Sequence, residues 1–354
     1  MFDRLLQLVC PSSLAKQVKS KAVMCFQSQR GAFIPTPTHS LKFLFPLHTK
    51  HKNTVTPNPS TSKQASLPLP TMALDLKGKR CLVTGATEPT SVGYVSALAC
   101  LAAGAAKVVV VGRDLARMAS PVPAGLSGLE GNLKKPETMA ELVAAAVEQL
   151  GGGVDVLIIS GGNGYSEYLG LDPTDAASYH LMYDMAVLSP MFLVAAAAPH
   201  LSQAPGGGSV VMVSSVAAQR PWPDTAPFNL AKAAQNALVE TLAFKHRQDG
   251  FRVNGVLPGC IHTKTLDVMA VKKGRDLAEY AELRAKAIPM GRNGKPEEVA
   301  QVVLFLASPA SSYMTGTLLP VDGGLGLSSW FNTPRLLSEY VGGTKVESTK
   351  ANKS

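Results

Sequence analysis

The sequence predicts an α/β fold, one parallel sheet doubly wound with helices on both faces, from three observations. Short apolar runs alternate with helical stretches from residue 79 onward. The strand-like runs are continuously apolar, Val108-Val109-Val110-Val111 most plainly, which is the pattern of strands covered on both faces rather than one. Between the first run and the first helix lies a glycine-bearing turn, Thr84-Gly85 to Gly93, and such a turn leaves a helix N-terminus free to hold an anion.

Residues 79–84 form the first predicted strand, and residues 92–103, mostly small, form the helix that follows. A second strand spans 107–111, and an Ala-rich helix at 137–150 leads to a strand at 154–159. A long apolar helix at 176–197 precedes a strand at 209–214, a helix at 227–246 precedes one at 252–257, and a helix at 296–307 precedes the last at 317–321. Parallel neighbours need a crossover of about a dozen residues or more, and such crossovers are right-handed, so this order winds helices onto both faces. The result is a single Rossmann-type domain over residues 72–330, after a leader of residues 1–71 and before a polar tail of residues 331–354. Residues 262–288 show no clear period and read as a loop covering the ligand site.

With 354 residues, 46% of them hydrophobic and 17% charged, the chain can bury a full core. Its net charge of +9 is concentrated in the leader, where nine Lys or Arg face the single acid Asp3. The body is therefore nearly neutral and gives no electrostatic case for a nucleic-acid partner. No uninterrupted apolar run reaches the roughly 18 residues of a membrane span, which reads as a soluble protein. Five scattered cysteines without a CxxC pair argue for a reduced compartment and against a metal site, and Cys260 reads as a small buried apolar residue. The leader, basic and rich in Ser, Thr and Pro, fits a transit peptide for a plastid or mitochondrion; it fits equally an upstream extension before a start at Met72, which would leave the protein cytoplasmic.

The sharper signals are ordered motifs: Ser214-Ser215, then Phe228-Asn229-Leu230-Ala231-Lys232, Val253-Asn254-Gly255-Val256-Leu257-Pro258-Gly259, Ile288-Pro289-Met290-Gly291-Arg292, and Val321-Asp322-Gly323-Gly324. Together they resemble the short-chain dehydrogenase/reductase family over residues 79–324. The resemblance implies a nicotinamide cofactor and a catalytic set in which Ser215 orients a substrate carbonyl and Lys232 grips the nicotinamide ribose. In the family a Tyr four residues before that Lys delivers the proton, and an Asn on the long helix holds a relay water. Here those two positions are Phe228 and Ala186. The spacing Gly85-x5-Ser91-x-Gly93 is similar to that of the enoyl-acyl carrier protein reductase branch, but that branch's Tyr, seven residues before the Lys, falls on Thr225.

For the cofactor, the resemblance implies that Gly85, Ser91 and Val92 meet the pyrophosphate, Asn132 the adenine, Gly161 the passing backbone, and Ile261 and Thr263 the carboxamide. At the end of the second strand Gly112 takes the slot of an NAD-preferring carboxylate and Arg113 follows, which favours NADP(H). Tyr183 and His262 are candidates to replace the missing acid, against plainer roles as a bonded tyrosine and a solvated histidine, and Asp224, in a substrate loop with Trp222, is a candidate to grip a cationic substrate against a plain helix-cap role. The expectation is an NADP(H)-dependent oxidoreductase of atypical proton chemistry on a small organic substrate, including secondary metabolites. The alternatives are a non-redox isomerase or cyclase on the same scaffold, or an inactive binding or assembly protein. Family members pair through the helices at 176–197 and 227–246, so a homodimer or homotetramer is implied.

Overall fold

A computed structural model of the protein describes residues 74–161, 174–222 and 225–327; the leader, the tail, Gly162 and Asp224 lie outside the described residues. β1 (Arg80–Thr84) is joined by the glycine turn to α1 (Val92–Ala102), and β2 (Lys107–Gly112) follows. A strand that sequence reasoning missed comes next, β3 (Leu126–Glu130). Its sequence, Leu-Ser-Gly-Leu-Glu, has no β-branched residue and half of it stays accessible, so it pairs as an edge on β2 without the apolar signature of the inner strands.

After a 3-10 turn at Pro136–Thr138 come α2 (Met139–Leu150) and β4 (Val156–Ile159). The long helix expected next is broken. It runs as α3 (Ala176–Tyr183), a π-turn at Asp184–Leu188, and α4 (Ser189–Ser202). The cause is Pro190: it has no N–H for the Ala186 carbonyl, while the N–H of Ser189 reaches back five residues to the Asp184 carbonyl. β5 (Gly208–Val213), α5 (Ala226–Lys245) and β6 (Phe251–Pro258) complete the second crossover. Residues 262–288 are not a loop but carry two helices, α6 (Lys264–Lys272) and α7 (Leu277–Ala285), the second capped by the Asp276 carboxylate accepting from the N–H groups of Ala278 and Glu279. Then come α8 (Pro296–Ala307) and β7 (Leu318–Val321).

The seven strands pair in parallel in the order β3-β2-β1-β4-β5-β6-β7. Successive residues of the inner strands feed opposite cores. Leu82, Val109, Leu157 and Val210 pack with α2, α4 and α5, whereas Val83, Val110, Ile158 and Val211 pack with α1 and α8. Both sides of each strand are covered, which is why the runs are apolar without alternation. Asp155, buried ahead of β4, takes the Arg80 guanidinium at 2.9 and 2.8 Å and the Arg80 N–H at 2.8 Å, fixing β1 against β4. Burial pushes the Asp155 carboxyl up, but the Arg80 hydrogen bonds outweigh it and hold it below its ordinary value.

The helical stretch Ala176–Ser202 is long and apolar enough to cross a membrane by length and composition alone. Half of its most apolar window is buried, and α4 contributes Leu193, Val194 and Ala197 to the core over β4 and β5.

Candidate active site

Strand order reverses between β1 and β4, and at such a switch point the carboxyl ends of the strands leave a crevice. A cleft of about 600 Å³ opens there, running from the β2 end to the lid helices α6 and α7. Its floor is made by glycines that permit close backbone approach. Gly85 has φ +62°, and a Cβ on it would stand 2.7 Å from the Gly161 backbone; a Cβ on Gly93 would stand 2.6 Å from the Gly85 carbonyl oxygen. Ser91 caps α1, its Oγ accepting from the Tyr94 N–H at 3.1 Å, so the hydroxyl sits at the positive end of the helix and on the cleft. Val92 lines the cleft beside it.

At the β2 end, a Cβ on Gly112 would lie 2.3 Å from Thr87 Oγ1, so any side chain in that slot would have to displace Thr87. Arg113 and Arg117 line the cleft there. Asp114 is turned to cap the following 3-10 turn, accepting from the Ala116 N–H at 3.0 Å, and pairs with Arg117 at 3.3 Å. Asn132, also on the cleft, accepts the Lys134 N–H at 3.1 Å in a local turn, and the buried Ser189 Oγ donates to the Leu133 carbonyl at 2.7 Å. Ile261 and Thr263 close the cleft from above, and Lys264 meets Glu88 of the glycine turn at 3.5 Å.

The other end is walled by Met185, Trp222, Phe228, Leu266 and Met269, with the Arg284 guanidinium 6.0 Å over the Trp222 ring. Ser215 is there, its Oγ accepting from the Ala217 N–H at 3.1 Å. Thr225 donates to Asn229 Oδ1 at 3.2 Å, and Asn229 Nδ2 donates to the Trp222 carbonyl at 2.7 Å, which anchors the loop carrying Trp222. Phe228, 3% exposed, presents its ring to the cleft. Lys232 stands behind that wall: it has no exposed surface, and its Nζ donates to the Val213 carbonyl at 3.1 Å and to Gln235 Oε1 at 2.8 Å. Burial lowers its pKa to about 7.

The family profile described as enoyl-(acyl carrier protein) reductase matches residues 85–326. Dehydrogenase/reductase SDR family member 4 of Bos taurus is 35% identical over 256 residues, covering 70% of this chain and 88% of that protein. The 7alpha-hydroxysteroid dehydrogenase of Escherichia coli is 31% identical over 260 residues, covering 71% and 95%. A solved short chain dehydrogenase/reductase family protein superposes with a TM-score of 0.59 at 33% identity, over 72% of this chain and all of that one. The chain belongs to the short-chain dehydrogenase/reductase family. It is an oxidoreductase of a family that uses nicotinamide cofactors.

A dinucleotide fits the short-chain dehydrogenase/reductase cleft found here, because the glycine floor, the capped helix N-terminus and the basic β2 end lie along one crevice. Of the sequence-predicted residues, Gly85, Ser91, Val92, Arg113, Asn132, Gly161, Ser215, Ile261 and Thr263 all line it. Lys232 does not, and the ribose contact implied by the family requires its amine to leave Gln235. Ala186 is fully buried in the π-turn. Tyr183 is 46% exposed on α3 and His262 is exposed between Ile261 and Thr263; neither lines the cleft. Sequence reasoning missed Met185, Leu266, Met269, Arg284 and Gln235. None of these is singled out by a pattern in the sequence; Arg284 lies on α7, whose start is marked by the Asp276 cap.

Proposed function

We propose that the protein is an NADP(H)-dependent oxidoreductase with an altered proton-transfer arm, acting on a small, largely apolar organic molecule, secondary metabolites included. One juxtaposition carries the reading: an intact dinucleotide cradle with a basic 2′-phosphate slot shares its cleft with a phenyl ring at position 228. In it, Gly85, Ser91 and Val92 receive the pyrophosphate, Arg113 and Arg117 the 2′-phosphate, and Asn132 the adenine. Gly161 lets the cofactor pass, and Ile261 and Thr263 cover the carboxamide. When bound, the nicotinamide exchanges a hydride with the substrate. Ser215 orients the substrate's polar atom, and Lys232 lies one layer behind Phe228.

Without a hydroxyl at 228, reduction of a ketone forfeits a general acid, worth typically about 10² to 10⁴ in rate or ~3–5 kcal/mol of barrier. An iminium, imine or activated alkene needs no strong acid at oxygen, so the same cleft suits them better. The test is NADPH oxidation by the full-length protein with a cyclic iminium, an enone and a matching ketone. The reading expects the first two to turn over at least about 10²-fold faster than the ketone. Turnover without NADPH consumption would point instead to an isomerase or cyclase, and failure to bind NADPH to a binding or assembly role.

Self-association as a homodimer or homotetramer belongs to the same proposal. Leu230 and Phe244 on α5 are 60% and 72% exposed, and Phe192 on α4 is 41% exposed, which is apolar surface suited to a second copy. Light scattering that returns a monomer would overturn this part.

A further inference from the structure

Helix α7 brings a guanidinium, that of Arg284, to the substrate end of the cleft, into a wall shared with Met185, Trp222, Phe228, Leu266 and Met269. Its place is set by its neighbours. The guanidinium carbon stands 6.0 Å from the centroids of both the Trp222 and the Tyr280 rings, and Nη2 donates to the Cys260 Sγ at 2.8 Å. Tyr280, one helical turn before Arg284 and buried, packs with Leu266 and Ala270 of α6, and Cys260, also buried, stands between Gly259 and Ile261 in the loop that closes the cleft. The head group is therefore held by both lid helices and by that loop rather than swinging in solvent.

Arginine suits such a place, because its guanidinium is always charged, is weakly hydrated and stacks on aromatic faces. Ring faces attract the charge without engaging the in-plane N–H fork, which matches a carboxylate bidentately, and a thiol sulfur is a weak acceptor. The charges of the cleft point the same way. Among the described residues that line it, six are cationic and two are acidic. The acids sit at the cofactor end: Glu88, in the glycine turn, lies 3.5 Å from Lys264, and Asp114, after β2, lies 3.3 Å from Arg117. Phosphates of a dinucleotide account for cations at the β2 end, but not for Arg284 at the other end.

We propose that the substrate is an organic acid: its carboxylate is taken by the Arg284 guanidinium, while its apolar body lies against Met185, Trp222 and Phe228. That this acid is the substrate rests on the nicotinamide reading of the cleft; the anion site itself does not. Held between two rings and a sulfur, the guanidinium is set before the ligand arrives, so little freedom is lost on binding.

The experiment compares three probes of one shape on the full-length protein by calorimetry: naphthoate, naphthamide and naphthylmethylamine. Naphthoate should bind at least about tenfold tighter than the amide, and the amine weakest. Saturating NADPH should leave naphthoate binding in place. Arg284→Met and Arg284→Gln should each weaken naphthoate about 10- to 100-fold and leave the amide unchanged, whereas Lys272→Gln and Lys273→Gln should preserve the preference. Circular dichroism reports whether the variants fold, and phenylglyoxal footprinting read by mass spectrometry decides without any variant: naphthoate should protect Arg284 from modification and the amide should not. Equal binding of acid and amide, preference for the amine as expected of a carboxylate grip at Asp224, displacement of naphthoate by NADPH, a preference that survives a folded Arg284 variant, or an unprotected Arg284 overturns the proposal. Protection of Arg284 in a protein that fails to bind NADPH would sustain the anion site and remove the oxidoreductase reading.

Discussion

At position 228 a phenyl ring lines the cleft together with Ser215, and in the proposed reading it stands where the family carries a tyrosine. Phe228→Tyr returns a donor to a site whose cofactor end is complete, so ketone reduction should rise by up to about 10² in kcat/KM. The gain stays below a full general acid's because Lys232 is engaged by the Val213 carbonyl and Gln235 and does not line the cleft beside the new hydroxyl. Lys232 also has a stability signature. Its pKa falls from 10.5 to about 7 on folding, so between those values the unfolded chain binds the proton and the folded one does not. Stability therefore rises with pH across that window, and below about pH 7 the penalty is present in full. Urea midpoints of the native protein relative to Lys232→Met should climb between roughly pH 7 and 10.5. The family resemblance pointed to positions 215, 228 and 232, of which Ser215 and Phe228 line the cleft and Lys232 lies buried behind it. It did not reveal where the amine points, which depends on the Val213 carbonyl and on Gln235.

At the scale of elements, the turn between β1 and α1 was the most legible part of the site. Its glycines answer to backbone contacts that leave no room for a side chain. Gly93→Ala puts a Cβ 2.6 Å from the Gly85 carbonyl, and NADPH affinity should fall at least about tenfold, measurable by fluorescence titration. In the proposed reading the β2 end, with Arg113, favours NADPH over NADH. Arg113→Ala should weaken NADPH about 10- to 100-fold, the value of a charge-assisted contact to phosphate, with little change for NADH. The lid was not legible. The apolar residues of α6 and α7 converge only on a small cluster of Leu266, Ala270 and Tyr280, too few to set a period. β3 was hidden for a related reason: its partner strand, not its own side chains, determines it.

Across the whole molecule, the apolar runs announced the sheet because each inner strand lies between two cores. Strand order was not in the runs themselves, and the pairing of β1 with β4, which creates the cleft, is fixed partly by the Arg80–Asp155 pair. Asp155→Ala leaves a half-buried guanidinium unpaired and should destabilise the fold by on the order of 2–3 kcal/mol, read as a lower urea midpoint with an unchanged slope. The central claim is that the dinucleotide cradle is functional although the proton donor is absent. Its most direct test is a titration of the full-length protein with NADPH and with NADH. Saturable, micromolar-class binding of NADPH, at least about tenfold tighter than NADH, is the predicted result. The absence of saturable binding by either dinucleotide would contradict it.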